Sequence, residues 1–266
     1  MKIADSVFVV TGAGNGIGRE VTLQLVRRGA KVAAIDLSEV GLRETIRLAG
    51  VNSDSITAFP TNITDKDAVT ALPQRVITEF GAVDGLLNIA GIIQRFVPIG
   101  ELSIEEIEKL MAVNFWGTMY MVKAFLPVLN ERPQACLLNV SSMGGLVPVP
   151  GQGAYGASKG AVKLLTETLY AELMDTNIAV TVVFPGGVGT NIAANSGVEV
   201  PTMKSSATTK VTAPSDAARQ IVDSVTAGTF RVLIGRDARS LDRISRLAPT
   251  YAIKVVARKM KGLLGK

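Results

Sequence analysis

The stretch Val7-Phe8-Val9-Val10-Thr11-Gly12-Ala13-Gly14-Asn15-Gly16-Ile17-Gly18 decides the fold. An apolar run of β-forming residues enters a glycine-rich turn, and a helical pattern starts at about residue 17. Such a turn lets backbone approach a pyrophosphate, which then lies at the positive end of the helix. The spacing is T-G-x-x-x-G-x-G, and a tight structural turn would look the same locally. Its place after the first strand of an alternating strand–helix pattern favours nucleotide binding, with Gly12, Asn15, Gly16, Ile17 and Gly18 as the contacts.

Outward from this turn, short apolar runs alternate with longer amphipathic stretches. Strands are expected at Val7–Val10, Lys31–Ile35, Ser55–Phe59, Val83–Leu87, Ala135–Val140, Ile178–Phe184 and Arg231–Ile234. Helices are expected at about 17–29, 38–49, 65–80, 103–130, 153–175 and 215–227. Strands that are nearly continuous Val, Ile and Leu are buried on both faces. The pattern therefore predicts an α/β fold, a single doubly wound parallel Rossmann-type sheet of about seven strands with helices on both faces. Residues 1–235 would form the dinucleotide-binding and catalytic domain. The irregular stretch 190–214 is long enough to be a lid, and 236–266 is expected to form a basic amphipathic helical extension.

Composition narrows the chemistry. The 266 residues are 47% hydrophobic and 19% charged, which suits a large core and not a disordered chain. With no histidine and one cysteine, Cys136, the chain has neither the usual zinc ligands nor an internal disulfide, and no metal is expected. Mechanisms that depend on histidine are excluded, so acid–base work falls to Tyr, Lys, Asp or Glu. Residues 231–266 carry ten Lys or Arg against two acids, whereas the first 230 residues have a net charge of −3. A nucleic-acid partner would want a basic face on the body, and none is expected. No stretch reads as a membrane span, because the long uncharged segments 134–158 and 176–198 are broken by Gly, Pro, Asn and Ser. The start Met-Lys-Ile-Ala-Asp shows no signal peptide, and a cytoplasmic location is expected.

Asp36 closes the second strand, 18 residues after Gly18. A carboxylate there accepts the adenosine ribose hydroxyls and repels a 2′-phosphate, and neither Asn15 nor Leu37 supplies a cation. NAD is the expected cofactor. N-capping of the next helix is the competing role for Asp36, one that Ser38 could fill.

Tyr155 and Lys159 stand at i and i+4 at the start of a helix and share a face. A phenol has a pKa near ~10, and a lysine ammonium within about 4–6 Å lowers it. Reaching about 7 takes roughly 4 kcal/mol of differential stabilisation. Ser142 ends a buried strand thirteen residues earlier, where active sites of open parallel sheets lie. Its hydroxyl could hold a substrate oxygen near Tyr155. Asn114 falls within a helical stretch, where Asn is a mediocre helix former, and that cost suggests a role.

Thr11–Gly18, Asn88-Ile89-Ala90-Gly91, Asn114, Ser142, Tyr155-Gly156-Ala157-Ser158-Lys159 and Pro185-Gly186-Gly187-Val188-Gly189-Thr190 resemble, in order, the motifs of the short-chain dehydrogenase/reductase family. The resemblance covers about residues 5–230. It implies Tyr155 as acid/base, Lys159 as its pKa modifier and ribose ligand, Ser142 in preference to Ser141 as oxygen holder, and Asn114 as the holder of a relay water. It also implies that Asn88, Ala90 and Gly91 line the cofactor site and that Pro185, Gly186, Val188 and Thr190 contact the nicotinamide. Two positions depart from the family pattern: Ile89 replaces a second Asn, and Asn62, before Ile63, replaces the usual acid near the adenine.

Ile92, Ile93, Phe96, Val97, Leu146, Val147, Val149, Ile192 and Met203 border these motifs. As a set they suggest a hydrophobic secondary alcohol or ketone, with Arg95, Lys204 and Lys210 the only cations in these stretches that could grip a carboxylate. Reduction of 3-oxoacyl thioesters with NADPH is the alternative reaction, and a non-enzymatic nucleotide-sensing or membrane-docking module the alternative class. Homodimers or homotetramers through 103–130 and 153–175 are implied by the resemblance. In the tail, Ile253, Val256, Met260 and Leu264 recur at helical spacing, with Lys254, Arg258 and Lys261 on another face. That helix would dock on its own subunit or a partner, or make peripheral contact with an anionic membrane, and Pro249 would separate it from what precedes.

Overall fold

The computed structural model describes residues 1–198 and 211–260. Seven strands form one parallel sheet: β1 (Val7–Thr11), β2 (Lys31–Asp36), β3 (Ile56–Pro60), β4 (Gly85–Asn88), β5 (Ala135–Val140), β6 (Ile178–Pro185) and β7 (Arg231–Ile234). Their order is β3-β2-β1-β4-β5-β6-β7. The direction of winding reverses between β1 and β4, and ligands of such sheets sit in the crevice opened there, at the carboxyl ends.

Side chains alternate across the sheet as a pleat requires. Phe8 and Val10 face one core with Val21 and Leu25 of α1 (Gly16–Arg27) and Ile221 and Val222 of α8 (Pro214–Ala227). Val7 and Val9 face another core with Val69, Leu72 and Val76 of α3 (Lys66–Phe80) and Met121, Phe125 and Leu129 of α5 (Thr118–Asn130). The remaining helices are α2 (Glu39–Ala49), α4 (Ile104–Met111), α6 (Gly153–Glu172), the short α7 (Ile192–Asn195), α9 (Arg236–Leu247) and α10 (Pro249–Met260).

The expected strands all occur, with ends shifted by two residues or fewer. One helix differs. The segment 103–130 is not continuous: a π-turn over Ala112–Gly117 separates α4 from α5, and Asn114 lies in it. Such insertions are frequent at functional sites.

The tail forms two helices divided at Ala248 and Pro249, as the proline requires. The apolar stripe of α10 docks on its own chain: Ala252, Val256 and Met260 pack with Leu146, Val147, Val149, Leu241 and Ile244. Ile253 departs from that stripe and is exposed. Among the described residues no helix is long and apolar enough to cross a membrane.

Phe125 is fully buried and closes the α3/α5 face. Phe125→Ala is expected to cost about 3–5 kcal/mol in urea unfolding. A loss below about 1 kcal/mol would show that this layer does not carry the fold.

Candidate active site

The site is assembled from loops at the carboxyl ends of β1, β2, β4, β5 and β6. Thr11 ends β1, and its hydroxyl accepts the N–H groups of Ile89 (2.9 Å) and Ala90 (3.1 Å). That pair of bonds fixes the loop after β4 at the point where the sheet reverses. The glycine turn follows. A Cβ on Gly18 would overlap the Gly12 carbonyl, so helix and turn approach as closely as they do only with glycine there.

The N-cap of α1, Asn15, makes no side-chain cap, and the first turn holds no acidic residue. Ser38, Asp65 and Ser103 cap α2, α3 and α4 with side-chain oxygens, whereas α6, α8 and α9, like α1, have no cap from the N-cap side chain. An uncapped N-terminus with converging N–H groups is the donor set a pyrophosphate needs. From the other side, the Thr190 side chain reaches within 3.5 Å of where a Gly16 Cβ would stand. The glycine turn and the loop after β6 thus lie side by side at the carboxyl ends of the strands, and these residues fit a dinucleotide.

Asp36 is held by two backbone amides, Gly14 N–H on Oδ2 and Ser38 N–H on Oδ1, each at 2.8 Å. A carboxylate offers about four acceptor sites, so capacity for ribose hydroxyls remains. Ser38 is the N-cap of α2 through Gly41 N–H, and Asp36 is not needed for that task.

Around β5 the chemistry-bearing side chains come together. Lys159 is 4% exposed, and its ammonium donates to the Val140 carbonyl at 3.0 Å. A Cβ on Gly91 would lie 3.0 Å from Lys159 Nζ and 3.1 Å from Asn114 Oδ1, so both groups crowd the loop after β4. Asn114 is fully buried. Its Oδ1 accepts Ile92 N–H (2.9 Å), and its Nδ2 donates to the Ile92 carbonyl and to Ser158 Oγ (both 3.0 Å). Ser142 Oγ accepts Gly144 N–H at 3.0 Å and lies beside the Tyr155 ring across Gly144.

Burial pulls the Lys159 ammonium down to about 8. It pushes the Tyr155 phenol above its ordinary value, and the hydrogen bond with Ser142 acts in the opposite sense. The lysine was expected to lower the phenol; here Ser142 is the group that does so, against a larger effect of burial.

Other expected cofactor residues hold structural bonds through their side chains. Asn88 Nδ2 donates to Asn139 Oδ1 (2.9 Å) inside the sheet. Asn62 Oδ1 accepts the Thr64 N–H (3.1 Å) and hydroxyl (2.9 Å) in the turn before α3. Ile63 packs into the α3/α5 core against Gly117. Any contact of these three with a dinucleotide falls to backbone or to remaining lone pairs. Of the residues expected to border substrate, Ile92 and Val97 pack near Tyr155, whereas Val147 is buried under α10. The Arg95 guanidinium is engaged by Glu106 at 2.6 Å. After β6, Ser196 Oγ accepts Ile93 N–H (3.0 Å), and Met203, Lys204 and Lys210 lie outside the described residues.

Several residues with positioning contacts were not foreseen. Buried Gln94 accepts Tyr155 N–H on Oε1 (2.8 Å) and donates to the Gly151 carbonyl (3.0 Å), and so caps the helix that carries Tyr155. Ser141 donates to the Lys159 carbonyl at 2.7 Å. Only Ser158, inside the Tyr155–Lys159 motif, had a local signal.

With this geometry in view, the short chain dehydrogenase family model matches residues 6–200. The chain belongs to the short-chain dehydrogenase/reductase family and is an NAD(P)-dependent dehydrogenase/reductase. It is 34% identical over 259 residues, 94% of each chain, to a Mycobacterium tuberculosis protein named oxidoreductase SadH. It also resembles dehydrogenase/reductase SDR family member 7B of Mus musculus, 34% identical over 73% of this chain and 61% of the mouse protein. A Burkholderia phymatum short-chain dehydrogenase/reductase solved with NAD superposes with a TM-score of 0.85 at 25% identity, covering 94% of this chain and 96% of that one. A Burkholderia cenocepacia short-chain dehydrogenase solved with NADP gives 0.80 at 26%, covering 96% and 99%.

Gln94→Ala removes the acceptor of a buried N–H, at a cost of about 1–3 kcal/mol. The Tyr155 amide is expected to exchange its hydrogen faster in this variant. An unchanged exchange rate would mean that Gln94 does not hold the helix start.

Proposed function

We propose that the chain transfers hydride between NAD and a hydrophobic secondary alcohol or ketone, with Tyr155 as acid/base, Lys159 as its electrostatic partner and ribose ligand, Ser142 as oxygen holder and Asn114 as relay residue. The observation that carries this reading is the convergence of these four residues on one edge of the crevice, beside an uncapped helix N-terminus. NAD, when bound, supplies the hydride acceptor or donor.

The chain's own residues do the rest. Ser142 Oγ donates to the substrate oxygen and holds it near the phenol. In reduction Tyr155 gives its proton to that oxygen as hydride reaches the carbon; in oxidation the phenolate takes the proton back. The buried Lys159 ammonium stabilises the phenolate. Asn114 stands next to Lys159 and, in this reading, orders a water that carries the proton to solvent. Ile92 and Val97 support an apolar substrate side.

Asp36 supports NAD over NADP, since a fixed carboxylate opposes a 2′-phosphate. We read residues 1–235 as the catalytic domain, with the 190–214 stretch as its lid. The docked apolar face of α10 supports 236–266 as a roof on its own subunit and not a membrane anchor. Exposed Trp116 on the π-turn and Leu164 and Tyr170 on α6 support pairing of copies in a homodimer or homotetramer, which we read as cytoplasmic.

Tyr155→Phe is expected to abolish turnover of hydrophobic secondary alcohols while NADH binding, read by its fluorescence, persists. Residual turnover near wild type would remove Tyr155 from the acid/base role. In the wild type, oxidation should accelerate from neutral to alkaline pH as the phenolate becomes populated, and reduction should slow, because it needs the protonated phenol. Equal slopes in both directions would contradict the assignment. NADH should be preferred over NADPH by about tenfold or more, a difference of at least ~1.4 kcal/mol. Asp36→Ala should narrow that gap, and an unchanged preference would contradict the role of the carboxylate.

A further inference from the structure

We propose that Asp237, on the C-terminal extension, is a positioning residue that clamps the Pro185–Thr190 loop and so sets the nicotinamide end of the cofactor site. This rests on the reading of that loop as the nicotinamide contact.

The pairing of β6 with β7 ends at Pro185 and Ile234, and the Gly186 N–H still donates to the Ile234 carbonyl at 2.9 Å. Beyond that point the loop has left the sheet. On one side it is held by Thr212, whose N–H donates to the Gly187 carbonyl (2.9 Å) and whose carbonyl accepts Gly189 N–H (3.0 Å). On the other side Asp237 Oδ2 accepts the Gly187 N–H at 2.8 Å. A Cβ on Gly186 or on Gly235 would overlap this carboxylate, so both glycines form the cradle in which it sits.

An acid in the first turn of α9 has an ordinary use, since it complements the positive end of the helix. That use does not call for a cradle of two glycines or for a bond to a backbone amide fifty residues away.

The clamp is anchored. Asp242, five residues further along α9, accepts Arg231 Nη2 at 2.6 Å, and Arg231 reaches Glu167 of α6 at 3.2 Å. The same guanidinium lies 4.4 Å from the centre of the Phe184 ring in β6. The extension therefore cannot shift without disturbing β6, β7 and α6. Through α10 it also packs on Val147, in the loop after β5 that carries Ser142. A loop fixed before binding spares the ordering cost that a free loop would incur when it closes on the cofactor.

The test compares NADH with ADP-ribose, which has the adenosine and pyrophosphate but no nicotinamide, by direct titration of the full chain. In the wild type NADH should bind more tightly than ADP-ribose. Asp237→Ala should weaken NADH binding by about tenfold or more, the size expected for loss of a charge-assisted hydrogen bond, and leave ADP-ribose within about twofold. Asp237→Asn keeps an acceptor for the Gly187 N–H and should restore most of the NADH affinity. Hydrogen exchange at Gly187 should be fast in the Ala variant and slow in the Asn variant, a readout that needs no ligand. Equal loss of both ligands, loss of neither, or an Asn variant no better than Ala would overturn the clamp. Equal wild-type affinity for the two ligands would overturn the nicotinamide reading of the loop, and the clamp with it.

Discussion

A lysine ammonium buried to 4% exposure on one backbone carbonyl is the constraint around which the site is built. Removing a cation from water is costly unless something compensates, and here burial alone lowers its proton affinity to about 8. The neighbouring groups serve to keep it there. Ser141 bonds the Lys159 carbonyl, Gln94 bonds the Tyr155 amide, and Asn114 braces the loop after β4 against Ser158. In the proposed function this cation would stabilise an anion beside it, and the phenol one helical turn back is the group we propose to become one.

The site also depends on elements remote in sequence. The loops after β4 and β6 are tied from opposite ends of the chain, by Thr11 at β1 and by Asp237 at α9. The α9–α10 extension, basic on its outer side, packs an apolar face on the loop after β5 and bonds the loop after β6. Its charge is therefore a property of a solvated surface, and its apolar residues are part of the fold.

The parallel sheet was legible because buried strands are near-continuous runs of Val, Ile, Leu and Ala, and no tertiary override disturbed them. The glycine turn and the Tyr155–Lys159 pair were legible because their spacing is local. The π-turn at Ala112–Gly117 was not, since one inserted residue barely alters a 3.6-residue pattern. The helical character of the 236–266 extension was legible because Ala238, Leu241, Ile244 and Leu247 recur at near-helical spacing among charges; its division into two helices rests on Pro249. Gln94 and Asp237 act across 61 and 50 residues, through bonds to backbone amides that carry no sequence signature. The balance at Tyr155 depends on burial against a nearby hydroxyl, and i, i+4 spacing sets only the proximity of Lys159.

The most direct test of the central claim follows a deuterium. NADH labelled at the transferable position of its nicotinamide is incubated with the enzyme and a hydrophobic ketone, and the alcohol product is analysed by mass spectrometry. One deuterium on the carbinol carbon, with none washed into solvent and a solvent-derived proton on oxygen, is the result predicted for hydride passing beside Tyr155. Product without the label, or label lost to water, would contradict it.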